Sequence, residues 1–328
     1  MWVITELDNG EPVKVTYELL AVASDISAKA GEKCCAVVVT GAAGDVPEKL
    51  IACGADEVYL VEGSKYAEYD TELYTDAICQ MIKEYRPDSV AFGATTNGRD
   101  LGPRIAARLH TGLCADCTSL DFDADKKLVL WTRPALGGNI YATIICDQHK
   151  PQMGTVRPNI FKPLPADASR KGEIIRFVPA EGAVSRVKLL KKESLKTASK
   201  IKIEDAKVLV SGGRGLGSPD KIALLEELAA LFEGGAVSGS RAIVDEGWMT
   251  HPEQVGQSGK SVKPHIYFAC GISGAIQHLV GMKESEVIVA INKDENAPIF
   301  KVAHYGVVGD LKVIIPKLIS RIKARKEQ

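Results

Sequence analysis

Long apolar runs are missing from this sequence. Its longest, such as Ala36–Val39 and Val287–Ile291, fall far short of the roughly 20 residues that a membrane-spanning helix needs, so no membrane span is expected. A basic excess is missing too. Lys+Arg number 41 against 42 Asp+Glu, a net charge of -1, and the pI is near 6.6. Proteins that neutralise phosphate backbones carry a positive surplus, so no nucleic-acid partner is expected. Aromatics are scarce at 6%, which leaves the core to aliphatic side chains. Met1-Trp2-Val3-Ile4-Thr5-Glu6 reaches an acid before any basic or apolar block, unlike a signal or transit peptide, and a cytoplasmic location is expected. Eight cysteines lie scattered among mostly apolar neighbours, which reads as buried free thiols in a reducing compartment.

A hydrophobic content of 45% and a charged content of 25% describe an ordinary folded protein. A chain of 328 residues suits two domains, or one large α/β domain. Strand-like and helix-like segments alternate. Strands are expected over Met1–Leu7, Cys35–Thr40, Glu57–Val61 and Ser89–Phe92, with helices over Val13–Ala30, Pro47–Cys53, Asp70–Tyr85 and Leu101–Leu109. All-apolar runs such as Cys35–Val39 suit a parallel sheet covered on both faces. Lys127–Thr132 and Asn139–Ile145, split by Pro134 and Gly137-Gly138, read as a hairpin on the sheet edge. Residues 149–185 carry Pro151, Pro158, Pro163, Pro165 and Pro179 and little periodicity. A basic stretch follows, through Arg186, Lys188, Lys191, Lys192, Lys196, Lys200 and Lys202, and the domain boundary is expected near 190–205. That stretch reads as a solvated linker in preference to a docking surface for an acidic partner. The βα rhythm then resumes with strands at Val208–Val210, His265–Cys270 and Glu286–Ile291 and helices at Asp220–Phe232, Ala275–Leu279 and Leu311–Lys323.

Three glycine-rich turns could hold a ligand. Ser211–Gly217 follows a strand and precedes a helix, where backbone N–H groups can cradle phosphate. It fails as a dinucleotide fingerprint because the last glycine position is Ser218, and a plain tight turn fits it equally well. Gly256-Gln257-Ser258-Gly259-Lys260-Ser261 imitates a P-loop, but Gln254 stands at the first glycine position and no strand is expected directly before it. The strongest signal is Cys270–His278, an apolar strand entering a Gly-Ser-Gly turn and a helix, which suits a pyrophosphate. His278 taken alone is more often structural. Cys114-Ala115-Asp116-Cys117 lacks a second ligand pair and is read as structural. No catalytic triad order and no H-E-x-x-H occurs, so neither catalytic nor metal-ligating residues are assigned. The residues by themselves thus imply a two-domain α/β protein whose C-terminal half binds a phosphorylated ligand of dinucleotide type.

Longer strings carry a resemblance. Val210–Gly215 (VSGGRG), Ser240-Arg241-Ala242 with Asp245, Gln254–Lys260 (QVGQSGK), Cys270–Met282 with its GISGAIQHLVGM, Ile291-Asn292-Lys293-Asp294 with Ala297–Phe300, and Gly306 to Asp310-Leu311 resemble the alpha subunit of electron transfer flavoproteins. Gly93–Arg104 (GATTNGRDLGPR), Gly112–Thr118 and Thr132–Asn139 extend the likeness over essentially the whole chain. It implies a redox carrier in place of an enzyme with its own substrate. The implied architecture is an N-terminal, mostly parallel α/β domain (1–195) packing on a beta subunit, and a C-terminal doubly wound FAD-binding α/β domain (196–328). The beta subunit would hold AMP or a second FAD, and the second case would permit electron bifurcation. Partners would be dehydrogenases such as acyl-CoA dehydrogenases, in a prokaryotic cytoplasm.

By position, the resemblance places Arg214, Ser240 and Arg241 at the flavin, with Arg241 near the isoalloxazine. Val255, Gly256, Gln257 and Ser258 would pass the ring, and the Ser258 hydroxyl, threonine in many relatives, would face its N5 edge. Ser273, Gly274, Ala275, Ile276, Gln277 and His278 would follow the ribityl-pyrophosphate and ring, while Asn292 and Asp310 would hold the ADP end. Arg241 and His278 would stabilise the negative charge of a reduced flavin. The competing readings are an NAD-dependent enzyme, opposed by Ser218, and a partner protein that has lost its cofactor, opposed by the intact Arg241, Ser258, Gln277, His278 and Asp310.

Overall fold

The computed structural model describes residues 1–135, 140–182, 184–192 and 201–326. The chain divides into two compact units, Met1–Lys192 and Glu193–Gln328. In the first, β1 (Trp2–Ile4), β4 (Cys35–Thr40), β5 (Glu57–Glu62), β6 (Ser89–Gly93), β7 (Leu113–Cys117), β11 (Gln152–Val156) and β12 (Glu173–Arg176) form one sheet in the order β12-β5-β4-β1-β6-β11-β7. Every pairing in it is parallel. Between β1 and α1, β2 (Leu7–Asp8) and β3 (Glu11–Pro12) make a small hairpin. Helices α1 (Lys14–Ala30), α2 (Val46–Ala52), α3 (Thr71–Tyr85) and α4 (Thr96–Leu109) supply the crossovers. All six residues of β4 are buried. Alternate members feed two separate cores, Ala36 and Val38 on one face and Val37 and Val39 on the other, which is why the run is apolar without alternation.

Several segments differ from the sequence reading. Helix α4 starts at Thr96, well before Leu101, because Thr95 Oγ1 caps the Gly98 N–H at 3.0 Å. Pro103 sits inside the helix, where its ring forfeits one intrahelical bond without ending it. The β-hairpin is not an edge of the parallel sheet. β9 (Leu128–Ala135) and β10 (Ile140–Ile144) pair antiparallel and join β8 (Ser119–Asp123) in a separate three-stranded sheet; Gly137-Gly138 lies outside the described residues. Trp131, 1% exposed, anchors that sheet. Its ring covers Gly154 so closely that a Cβ there would lie 2.1 Å from it. The proline-rich 149–185 region holds β11, buried at every residue between β6 and β7, and the edge strand β12. Part of the basic stretch lies along acids of its own unit. Arg186 N donates to Glu72 Oε2 at 2.8 Å while its guanidinium pairs with the same carboxylate, and Lys192 meets Glu68 at 2.8 Å. Arg186 holds the Glu72 carboxyl down at about 2.

The second unit is a six-stranded parallel sheet built from β13 (Val208–Gly212), β14 (Gly235–Ser240), β15 (Gln254–Val255), β16 (Ile266–Cys270), β17 (Val287–Asn292) and β18 (Tyr305–Val308). Their order is β15-β14-β13-β16-β17-β18, so the chain winds outward from β13 and then returns to build the other side from β16. Helices α5 (Ile222–Ala229), α6 (Arg241–Asp245), α7 (Ile276–Leu279) and α8 (Leu311–Lys326) connect and cover it. The expected helix over Asp220–Phe232 is shorter, a 3-10 turn at Pro219–Lys221 leading into α5. Helix α8 buries Leu311, Ile315 and Ile319, one face at a spacing of four.

Candidate functional site

The strand order reverses between β13 and β16, the place where a doubly wound sheet leaves a crevice beyond its carboxyl ends. Gly212 and Cys270 end these strands side by side, and two glycine turns leave them together. Gly213 N donates to Cys270 O and Gly215 N to Gly271 O, both at 3.0 Å. A cleft of about 850 Å³ opens there. Arg214, Ser240, Arg241, Val255, Gly256, Gln257, Ser258, Ser273, Gly274, Ala275, Gln277, His278 and Asn292 all line it. Ile276 and Asp310 are not among its lining residues. Ile276 is exposed at the start of α7, and the Asp310 carboxylate accepts the Lys312 N–H at the head of α8.

A short strand does precede the P-loop-like turn, contrary to expectation: β15 pairs with the end of β14 through Gly239–Gln254 and Ser240–Val255. Two residues of Gln and Val are too few to show as a strand in sequence. The turn then closes on itself, Lys260 N reaching Gln254 O at 2.7 Å, and Gln257 N docks on Gln277 O at 2.7 Å. The Ser258 hydroxyl accepts from Gln254 Nε2 at 3.0 Å, and the His251 ring meets the Ser258 carbonyl at 3.1 Å. Accepting from Gln254 leaves the serine O–H free to donate. Asn292 instead spends its amide on the turn itself: Nδ2 donates to Ile272 O and Oδ1 accepts from Asp294 N, each at 3.0 Å. Arg241 Nε pairs with Asp245 at 3.2 Å on an exposed helix turn. Arg214 is likewise exposed, so two guanidiniums stand at the cleft without sealing it.

His278 is the buried titratable member of the set, 7% exposed. Its Nε2 meets the hydroxyl of Tyr267 at 3.0 Å, a contact across eleven residues that no sequence motif announced. Burial pushes the imidazole down to about 4, opposed in part by the Val255 carbonyl facing the ring. Burial also raises Tyr267 well above the usual tyrosine range, so the phenol keeps its proton and serves as the donor. The Ser211 and Ser238 hydroxyls face that oxygen and offset some of the rise, though neither closes a hydrogen bond of ordinary geometry. A Tyr267 O–H donating to Nε2 fixes the imidazole proton on Nδ1. That Nδ1 is buried and closes no hydrogen bond of ordinary geometry, the Val255 carbonyl near the ring included. Such an orphan costs about 1–3 kcal/mol, and an acceptor on a bound ligand would satisfy it.

The depressed His278 value has a consequence for stability. The unfolded histidine binds its proton below about pH 6.5, while the folded one stays neutral to about 4. The unfolded state therefore holds more protons between those limits, and stability falls as pH drops through that window. The expected loss is on the order of 3 kcal/mol. Urea unfolding at pH 7.0, 5.5 and 4.5 checks it: His278→Gln should show a clearly flatter dependence, and equal slopes would contradict the assignment.

Elsewhere the chemistry is sparse. All eight cysteines are free, and Cys114 and Cys117 are buried, the Cys117 thiol lying 3.5 Å from the Cys114 carbonyl on β7. Among the described residues no three His, Cys, Asp or Glu converge as a metal site, and no helix is long and apolar enough to cross a membrane.

Comparison with known proteins adds the following. Residues 1–181 match the profile described as electron transfer flavoprotein domain, and residues 202–283 match the electron transfer flavoprotein FAD-binding domain. The chain is 47% identical to an electron transfer flavoprotein subunit alpha of Thermoanaerobacterium thermosaccharolyticum, covering 99% of this chain and 98% of the relative. It is 48% identical to Protein FixB of Clostridium saccharobutylicum, covering 98% and 96%. Against the acryloyl-CoA reductase electron transfer subunit beta of Anaerotignum propionicum the identity is 40%, covering 99% and 96%.

Proposed function

The chain belongs to the electron transfer flavoprotein family as an alpha subunit, and on that premise we propose that its C-terminal cleft holds FAD and that it works as the flavin-carrying half of a heterodimeric electron carrier. The observation that carries this reading is the convergence of Arg214, Arg241, Ser258 and His278 on one cleft at the reversal of strand order. Their chemistry suits the group. A cleft of about 850 Å³ is in the size range of cofactor sites, and the orphaned Nδ1 of His278 matches an acceptor such as a flavin carbonyl.

When bound, FAD supplies reversible storage of one or two electrons; the chain supplies its surroundings. Arg241 brings a permanent cation, His278 a neutral donor held in one tautomer, and Ser258 a hydroxyl kept in place by Gln254. The Gly213–Gly217 and Gly271–Ala275 turns would take the pyrophosphate, their glycines allowing close backbone approach. The N-terminal unit would dock on a beta subunit carrying AMP or a second FAD. Electrons would arrive from a dehydrogenase of the acyl-CoA class, with bifurcation possible in the second case; the acryloyl-CoA reductase relative supports that class of partner.

The test is Arg241→Ala in the heterodimer. Losing a cation worth about 1 kcal/mol to a partly exposed anion should lower the first one-electron potential of the bound flavin by roughly 40 mV. Flavin content should stay near the wild-type level. A reductive titration with unchanged potentials would remove Arg241 from the ring's surroundings.

A further inference from the structure

Two thiols of the N-terminal unit meet although their spacing should part them. On a regular strand, residues 114 and 117 would face opposite sides of the sheet. β7 is not regular. Cys114 pairs with Gly154 of β11 and Cys117 with Val156, so three steps of β7 run against two of its neighbour. That bulge turns both cysteines to one face, where they share a core with Val129, Trp131 and Val156. Leu113 and Met153 belong to the core on the other face.

The bulge is built and braced. Asp116 takes a φ of 62°, a left-handed conformation that aspartate tolerates better than most side chains. Its N–H donates to Thr155 Oγ1 at 2.9 Å, and its carboxylate accepts from Arg157 Nε at 3.2 Å and Nη2 at 2.6 Å. Arg157 is itself buried. Two steps along a neighbouring strand set the Cα atoms of the pair about 6.6 Å apart, within the roughly 4.4–6.8 Å that a disulfide spans.

The two sulfurs are not equivalent. Cys117 is fully buried, while Cys114 keeps 7% exposure. The Cys117 thiol hydrogen-bonds toward the Cys114 sulfur and holds that thiol below the ordinary cysteine range, with Arg133 adding to the effect and burial opposing it; the same contact pushes Cys117 up. Burial pushes Cys34, Cys35 and Cys270 up to about 12, so those thiols are inert by comparison. We propose that Cys114 and Cys117 form a dithiol site that reacts with hydrogen peroxide and closes reversibly to a disulfide. Peroxide is neutral and little larger than water. The Cys114 sulfur attacks one of its oxygens, the O–O bond breaks, Cys114 becomes a sulfenic acid, and the other oxygen leaves as water with the thiol proton. The Cys117 sulfur then displaces the sulfenic hydroxyl, which takes the Cys117 proton and leaves as a second water. Two electrons pass from the sulfurs to one peroxide, and an external dithiol returns them. This inference stands apart from the flavin assignment.

The test treats the folded, FAD-loaded heterodimer with hydrogen peroxide, then unfolds it in N-ethylmaleimide and maps tryptic peptides by mass. Peptide Leu109–Lys126 carries Cys114 and Cys117 and no other cysteine. Its unalkylated form, two hydrogens lighter than the dithiol, should rise about tenfold over untreated protein and disappear when dithiothreitol precedes the alkylation. Cys117→Ala should leave a sulfenic acid at Cys114 that dimedone traps, and Cys114→Ala should cut dimedone capture on the same peptide about fivefold relative to it. The wild-type result needs neither variant to fold. A wild-type peptide still alkylated at both cysteines, a disulfide that forms only when peroxide is added in urea, oxidation to sulfinic or sulfonic acid with no disulfide, or equal dimedone capture in two folded variants would each overturn the proposal.

Discussion

Gly213→Ala is expected to strip the flavin from the C-terminal cleft of this protein and to destabilise its second unit. A Cβ at 213 would lie 2.4 Å from the Gly271 oxygen, and 2.9 Å from both the Gly271 carbonyl carbon and Ile272 Cα. Every one of those atoms is backbone, so no side chain can swing aside. The Gly213 N–H is also bonded to Cys270 O, which ties the first turn to the second. Forcing the turns apart should cost about 3 kcal/mol and lower the thermal midpoint of the unit by roughly 10 °C. The same displacement moves Arg214 and Ser273 away from one another, so occupancy of this cleft by FAD should fall below about a tenth of wild type. Thermal melts and fluorescence of the released flavin read both effects. Normal flavin content in a stable Gly213→Ala protein would mean that the two turns do not form the site.

Tyr267→Phe is the second large effect, and it acts without touching the cleft. Removing the hydroxyl deprives His278 Nε2 of its donor and frees the imidazole to carry its proton on either nitrogen. A donor present only part of the time stabilises reduced flavin less. The loss should be on the order of 1 kcal/mol, which lowers the first one-electron potential by roughly 40 mV. His278→Asn should lower it further. In the double variant Tyr267→Phe/His278→Asn, the tyrosine change should add nothing, because its influence runs through the imidazole. A merely structural Tyr267 would shift stability and leave the potential alone, which is the outcome that would contradict this role.

What could be read in advance follows from how local each feature is. The six apolar residues of β4 and the Cys270–His278 string carry their own signal, since burial on both faces and a glycine turn into a helix leave marks within ten residues. β14 does not: Gly235–Ser240 reads GAVSGS, too small and polar for strand propensity, and only its pairing with β13 makes it one. β11, QMGTV, is hidden for the same reason, its Gly154 being where Trp131 lies flat. Helix α4 was misplaced because Pro103 looked like a start while the cap at Thr95 lay upstream.

The site shows the same division. Residues carried over by resemblance fell together except for Ile276 and Asp310, because long ordered strings preserve position. The Tyr267–His278 bond and the packing of Gly213 on Gly271 depend on neighbouring strands and turns, so no local pattern exposes them.

The central claim is that this chain's C-terminal cleft is the seat of one FAD. The most direct measurement is the flavin count per heterodimer, in wild type and in a variant with the cleft obstructed from an exposed lining position, such as Ala275→Trp, each after incubation with excess FAD. The account predicts one FAD fewer in the obstructed protein, whether the wild type carries one or two. Equal counts in the two proteins, or a wild type that stays colourless after FAD is supplied, would contradict it.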